Sequence, residues 1–293
     1  MDFTTFLIQC LNAVQYGLLL FLVASGLTLI FGIMGVINLA HGSFYMIGAY
    51  MAFALAAPVA ATFGGGFFAT LIVGLILAVI LGYLLEWAFF SYLYQREHLQ
   101  QVLMTYGLIL VFEEVRSLLV GDDVHGVKPP DLLAGTIPLG ELMTYPVYRI
   151  FVSGVCLALA LGMYFVFTRT RLGMMIRAGS TNREMVQSLG IDISFLYRVV
   201  FAAGVAIAVL AGMVAAPLSS VYPGMGNTVL IICFVVVVIG GIGSIRGALV
   251  ASLLIGVVDT FGKVLLPQAA GVLVYVLMAL ILLWKPDGLF KAG

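Results

Sequence analysis

The sequence predicts an all-α polytopic membrane protein, and three observations carry that prediction. Of its 293 residues, 63% are hydrophobic and 9% charged, and the mean hydropathy is +1.20, a composition that no soluble domain of this size tolerates. Apolar stretches of about 20 residues, enough to cross roughly 30 Å of hydrocarbon, recur along nearly the whole chain. Their apolarity is continuous rather than alternating, which favours helices over a barrel. About eight to ten membrane segments are expected, in a single transmembrane domain spanning 1–293 with no soluble domain left to place.

Residues from Phe6 to Ala60 form an apolar region too long for one crossing, interrupted by Gly32, Gly35, Asn38, His41 and Gly42. A broken or re-entrant segment near residues 32–43 is therefore expected. Gly66–Phe90 is the next span, closed by the polar Gln95-Arg96-Glu97-His98, and Val102–Val120 follows. From Gly121 to Tyr145 the chain carries Asp122, Asp123, Asp131 and Glu141 against Lys128 alone, while Pro129, Pro130 and Pro138 forbid a long helix. This loop is assigned to the outer face. Val147–Phe167 crosses inward, and Phe195–Val221 crosses outward to a turn at Pro223-Gly224. Thr228–Ile239 and Ala248–Val264 are joined by Gly240–Gly247, where Arg246 marks an inner turn. The last span, Ala270–Trp284, ends in Lys285-Pro286-Asp287 and Lys291, so the carboxyl end is expected in the cytoplasm. No lysine or arginine precedes Arg96, so nothing orients the first spans and the side of the amino terminus stays open. Met1-Asp2-Phe3 lacks the basic region and cleavage site of a signal peptide, so the first span is expected to be retained.

The one long polar excursion dense in positive charge runs from Thr168 to Arg198, with Arg169, Arg171, Arg177, Arg183 and Arg198 answered only by Glu184 and Asp192. Between apolar spans such a loop reads as cytoplasmic. Inside it, Thr181-Asn182-Arg183-Glu184 has capping-box spacing, and Gly190 supplies a stop, which predicts a short helix over Asn182–Leu189. That helix carries Met185, Val186 and Leu189 on one side and is too short to stand alone in water. Two fates fit it: lying against headgroups and helix ends, or pressing into a groove on a cytoplasmic partner.

No catalytic set is visible. The three histidines are scattered, no Gly-Lys-Ser/Thr phosphate loop exists, and no Cys/His cluster has metal spacing. Cys10, Cys156 and Cys233 sit in apolar surroundings as packing residues. Glu113 and Arg116 are spaced for an i,i+3 pair and Asp259 and Lys263 for an i,i+4 pair, both read as structural ion pairs. Glu86 lies near the inner end of its span, within snorkelling reach of the headgroups. Asn38, His41 and Ser43, flanked by Gly35 and Gly42, are candidates either for a polar translocation path at membrane depth or for satisfying the broken helix's own backbone. The glycine-rich interruptions Gly32–Gly42 and Gly240–Gly247 lie in opposite halves and hint at an internal repeat.

Gly26-Leu27-Thr28-Leu29-Ile30-Phe31-Gly32-Ile33-Met34-Gly35-Val36-Ile37-Asn38-Leu39-Ala40-His41-Gly42-Ser43 resembles the permeases of branched-chain amino-acid ABC importers, the LivH-type subunit in particular. The hinge Ile239-Gly240-Gly241-Ile242-Gly243-Ser244-Ile245-Arg246-Gly247-Ala248 resembles a second hallmark of that family. The loop holding Arg177, Asn182, Leu189, Gly190 and Ile191 resembles its coupling loop, with Val186 standing where alanine is common. The resemblance runs from about Gly17 to Asp287 and implies an inner-membrane permease subunit of a bacterial ATP-driven importer that works by alternating access. It also implies a second homologous permease, in a heterodimer, two cytoplasmic ATPases that bind ATP and Mg, and a periplasmic or lipid-anchored binding protein. The cytoplasmic coupling loop, 169–194, would receive the ATPase motion through Arg177, Asn182, Glu184, Met185, Val186, Leu189 and Gly190; Gly240, Gly241, Gly243 and Gly247 would form a glycine hinge. The chain itself is expected to hold no cofactor, to be no enzyme and to bind no nucleic acid. The substrate class implied is branched-chain amino acids or related small polar solutes. An ion-coupled secondary transporter, with Asp259 as its acid, and a passive channel for urea or amides are the rival readings.

Overall fold

Helix α1 (Phe3–Met34) is the spine of the protein, with most of its apolar length buried inside the chain rather than turned to lipid. The computed structural model describes residues 3–64, 66–94, 96–138 and 144–290. Gln95, Glu141 and Lys291 of the charge pattern lie outside the described residues, as do Met1, Asp2 and the side chains of Thr181 and Arg183.

α1 stops where Gly35 takes φ 66, which residues bearing a Cβ rarely adopt. Residues 35–40 then run back alongside α1 without regular structure. α2 (His41–Ala54) begins where His41 Nε2 meets the Val23 carbonyl at 2.9 Å, roughly 16 Å up α1 from its end at 1.5 Å per residue. The expected break is therefore a crossing that is half extended and half helix. α2 bends by 51° into α3 (Ala56–Phe63).

α4 (Gly66–Leu85) continues through a π-helical turn, Glu86–Phe90, into the short α5 (Ser91–Leu93). α6 (His98–Val120) leads to the acidic loop, where β1 (Thr136–Pro138) pairs antiparallel with β2 (Thr144–Pro146) and Ile137 faces Tyr145. α7 (Val147–Arg169), α8 (Arg171–Thr181) and α9 (Arg183–Ser188) follow, then α10 (Ile193–Ala215), α11 (Met225–Gly240), α12 (Ile245–Leu265) and α13 (Ala270–Trp284). Among the described residues, α1, α4 with its extension, α7, α10 and α12 are the five helices long and apolar enough to span on their own, and α2 with α3 forms a bent pair. α11 and α13 are shorter apolar helices, and α6 carries Glu113, Glu114 and Arg116 near its end. These elements make an all-α polytopic membrane protein.

Contacts decide the direction of α1, which charge left open. Its last turns line a cavity with Ile176 and Arg177 of α8, while Asn12 near its start accepts from Arg149 Nη1 at the start of α7 at 2.6 Å. The amino end of α1 thus lies on the same face as the acidic loop, opposite the basic face formed by α8 and α9.

The packing also has an internal two-fold pattern. Exchange α1 with α10, α2 with α11, α4 with α12 and α6 with α13, and contacts map onto contacts: α2–α10 onto α11–α1, α4–α10 onto α12–α1, α2–α4 onto α11–α12, α2–α6 onto α11–α13. α1 runs toward the basic face and α10 away from it, so the halves are inverted. The sequence paired Gly32–Gly42 with Gly240–Gly247; the packing instead pairs the break 35–40 with 216–224, because what repeats is a long helix followed by a helix that starts at depth. The pairs that map onto themselves meet at glycines. A Cβ on Gly26 would lie 2.6 Å from the Gly204 oxygen, and one on Gly42 would overlap the Gly226 carbonyl, so only hydrogen there lets the backbones touch.

Candidate functional site

On the basic face, α8 and α9 form a bent strap. Thr170 caps α8 by accepting from the Gly173 amide at 3.3 Å, and Arg177 donates to the Phe167 carbonyl, tying α8 back to α7. The expected capping box rests on the side chain of Thr181, which lies outside the described residues; the backbone places the cap one residue later. Thr181 is the last residue of α8, and Asn182 is the cap of α9, its Oδ1 accepting from the Met185 amide at 3.0 Å. Asn182 wins because its extended backbone, φ −151, separates the two helices and leaves its short side chain facing the free amides. Gly190 follows α9 with φ 81, the left-handed stop expected of it. The helix is as short as its sequence suggested, but its apolar residues part company. Val186 is 4% exposed and belongs to the core, whereas Met185 is 63% and Leu189 72% exposed, and Glu184 is exposed beside them.

At the centre, Asn38, His41 and Ser43 are all buried. Asn38 Oδ1 accepts from the Ala40 amide at 3.0 Å, substituting for a cap at the start of α2. With Nε2 against the Val23 carbonyl, a neutral His41 donates there. Asn38 Nδ2 and His41 Nδ1 find no partner among the described residues. Gly26 and Gly42 press these residues against α10 and α11, so the centre is closed.

The glycine hinge connects α11 to α12 on the basic face. Gly240 and Gly247 are in backbone contact, and Gly241 and Gly243 take φ 94 and 79. Ser244 Oγ caps α12 by accepting from the Gly247 amide at 3.1 Å, and the chain's end returns here, with the Leu289 amide on the Ile239 carbonyl at 2.8 Å.

The charged pairs lie toward the acidic face. Arg116 Nε is 3.2 Å from Glu113 Oε2, and the same guanidinium donates to the Gly121 carbonyl at 2.7 Å and to Asp122 Oδ1 at 2.9 Å, so it clamps the end of α6. Hydrogen bonds from Arg116 and Ser117 hold the Asp122 carboxyl below the usual carboxylate range. Burial pushes the Tyr145 phenol in the same region up. Lys263 Nζ is 2.6 Å from Asp259 Oδ2 and sits 5.5 Å from the Tyr16 ring centroid. Among the described residues, no group of three potential metal ligands occurs.

Comparison with known proteins places this architecture. The profile of the family described as branched-chain amino acid transport system, permease component, matches residues 9–283. The chain belongs to this permease family. Among curated relatives, the permease is 31% identical to the high-affinity branched-chain amino acid transport system permease protein BraD of Pseudomonas aeruginosa, over 97% of this chain and 95% of the relative. It is 29% identical to the corresponding protein LivH of Salmonella typhimurium, over 98% and 96%. A probable branched-chain amino acid transport permease protein LivH of Methanocaldococcus jannaschii is 27% identical over 95% and 90%. No solved structure matches the permease.

One element of the permease that the residues did not announce is a charged link beneath the strap. Glu86, read from its position as a snorkelling carboxylate, is instead 1% exposed at its side chain and 3.2 Å from Arg198 Nε, with Tyr94 donating to its other oxygen at 2.6 Å. Its place in a π-turn explains the difference: the wider turn rotates Glu86 off the lipid face and toward α10. The sequence signal was Arg198 itself, an arginine in the second turn of an otherwise apolar helix.

Proposed function

We propose that this chain is the permease subunit of an ATP-driven importer for branched-chain amino acids or related small polar solutes. In this reading it lies in the bacterial inner membrane as one transmembrane domain over 1–293, with its carboxyl end and the coupling loop 169–194 in the cytoplasm. A second homologous permease completes the path, two ATPase subunits bind ATP and Mg with α9 as this chain's docking helix for the ATPase motion, and a periplasmic or lipid-anchored binding protein delivers substrate to the acidic face. The chain supplies no ATPase chemistry of its own.

The observation that carries the reading is the division of labour on α9. Two large apolar side chains, Met185 and Leu189, stand exposed on the basic face while Val186 anchors the helix to the core. A helix of six residues displaying them in water gains nothing from folding alone; seated in a groove they become anchors. In this reading the inverted halves are the moving parts, and they meet at the close glycine contacts Gly26–Gly204 and Gly42–Gly226, which rocking of the halves would part. Asn38, His41 and Ser43 sit at that junction and would meet the solute when it opens. The ion-coupled rival has little to work with, because Asp259 is held by Lys263.

The test is purification from native membranes with assay of co-purifying ATPase activity, wild type beside Leu189→Asp. Co-purification of ATPases and a second permease with the wild type alone supports the reading. A wild-type chain that comes down by itself, under conditions that preserve complexes, overturns it.

A further inference from the structure

A cavity of about 520 Å³ opens on the basic face between the last turns of α1 and α7, the strap helix α8 and the start of α12. Two guanidiniums line it, Arg177 and Arg246, and among the described residues its lining contains no carboxylate. Arg177 is held to its wall by the Phe167 carbonyl, and Arg246 lies 5.7 Å from the Tyr164 ring centroid; Arg246 forms no ion pair with any described acid. Thr168, Ser180 and Ser244 add hydroxyls beside the arginines. The deeper wall is apolar, with Leu29, Ile33 and Ile176. Outside the mouth, the exposed face of α7 continues the apolar surface through Leu157, Leu161 and Phe165.

We propose that this cavity binds the phosphate headgroup of an anionic phospholipid of the inner leaflet, its acyl chains lying along α7. Three features select a lipid over a free anion or an acidic protein segment. The arginines stand at the membrane-water boundary, at the ends of spanning helices, where the headgroups are. Charged and hydroxyl donors are backed by an apolar wall, a match for an amphiphile rather than a fully solvated ion. The lipid-facing stripe on α7 leads directly into the mouth. Two guanidiniums present forked donors suited to phosphate. Because Arg177 belongs to α8, an occupied site would brace the strap that carries α9, making the lipid a structural ligand of the loop rather than bulk solvent.

The test uses the permease in the complex purified from native membranes, delipidated and returned to nanodiscs of phosphatidylcholine with rising phosphatidylglycerol, reading the thermal midpoint. The wild type is expected to gain midpoint with phosphatidylglycerol, and Arg246→Gln and Arg177→Gln/Arg246→Gln to need about fivefold more lipid for each arginine removed. Arg171→Gln, which removes a nearby arginine outside the cavity, should follow the wild type. Equal midpoints in phosphatidylcholine alone certify that the variants fold; if the double variant does not, Arg177→Lys/Arg246→Lys keeps the charge, loses the fork and should fall between. A response shared equally by every variant means diffuse surface charge and overturns the site. A response to millimolar glycerol phosphate in pure phosphatidylcholine makes it a soluble-anion site and overturns the lipid assignment. Loss of ATPase subunits from Arg246→Gln, with lipid response intact, assigns the cavity to a protein partner and overturns it equally.

Discussion

Arg198 Nε lies 3.2 Å from Glu86 Oε2, joining the first turns of α10, directly after the arginine-rich loop, to the π-turn that extends α4. Glu86 is 1% exposed at its side chain and Arg198 29%, so the carboxylate depends on the pair more than the guanidinium does. Arg198→Gln strands a buried carboxylate and is expected to be the more destabilising of the two substitutions, though less so than breaking a fully buried pair because Arg198 reaches water. Glu86→Gln keeps a hydrogen-bonding group for Tyr94 and should cost about 1 kcal/mol. Thermal midpoints in nanodiscs read the order, and a larger loss in Glu86→Gln would show that the carboxylate is not the dependent partner.

The three apolar residues of α9 should fail in two different ways. Met185→Asp and Leu189→Asp leave the chain inserted and folded but weaken ATPase retention by about 2 kcal/mol or more, as expected for interface anchors. Val186→Asp buries a charge in the core and should reduce the amount of folded protein itself. Gel-filtration yield and co-purified ATPase, measured side by side, separate the two. Normal uptake by the Leu189→Asp variant would falsify the docking assignment.

Glycine substitutions read the close approach of the two halves. Gly42→Ala drives a Cβ into the Gly226 carbonyl and is expected to cost about 1–3 kcal/mol. Gly107→Ala, in α6 with nothing within 4 Å of the added atom, should instead stabilise by about 0.5–1 kcal/mol. Opposite shifts in thermal midpoint are the expected pair of results.

Acid should loosen the clamp on the acidic face. Asp122 has its pKa lowered in the folded chain by hydrogen bonds from Arg116 and Ser117, so its contribution is present above the unfolded value of about 4 and is lost as pH falls through the lower folded value. Hydrogen-exchange protection factors, which remove the intrinsic pH dependence of exchange, should fall below about pH 4 at the end of α6 and in residues 121–125 of the wild type and stay level over that window in Asp122→Asn. Identical profiles for the two proteins would remove Asp122 from the account.

Asp259→Asn tests the ion-coupled alternative. The Asp259–Lys263 pair is an i,i+4 pair with Lys263 largely exposed, worth about 0.3–0.5 kcal/mol. Uptake driven by ATP should survive the substitution. Complete loss of uptake in a well-folded variant would revive coupling to an ion gradient.

Sequence by itself determined the class of this protein, the positions of the spans from Gly66 onward, a break near residues 32–43 and the one loop rich in arginine. Those properties are local: hydropathy over a window of about 20 residues decides membrane crossing, and glycine at a forced φ ends a helix wherever it sits. Tertiary structure alone decided the rest. It oriented α1, for which no charge spoke, through the Arg149–Asn12 contact. It turned Val186 inward and left Met185 and Leu189 out, because a six-residue helix has apolar groups on more sides than one docking face uses. It chose Asn182 over Thr181 as the cap, since the bend between α8 and α9 sets which backbone is extended. It paired Glu86 with Arg198, and set Arg177 beside Arg246 around one cavity. The α1 contact, the Glu86–Arg198 pair and the arginine cavity join residues far apart in the chain, and which helices become neighbours depends on packing shape, to which a run of apolar letters is nearly blind.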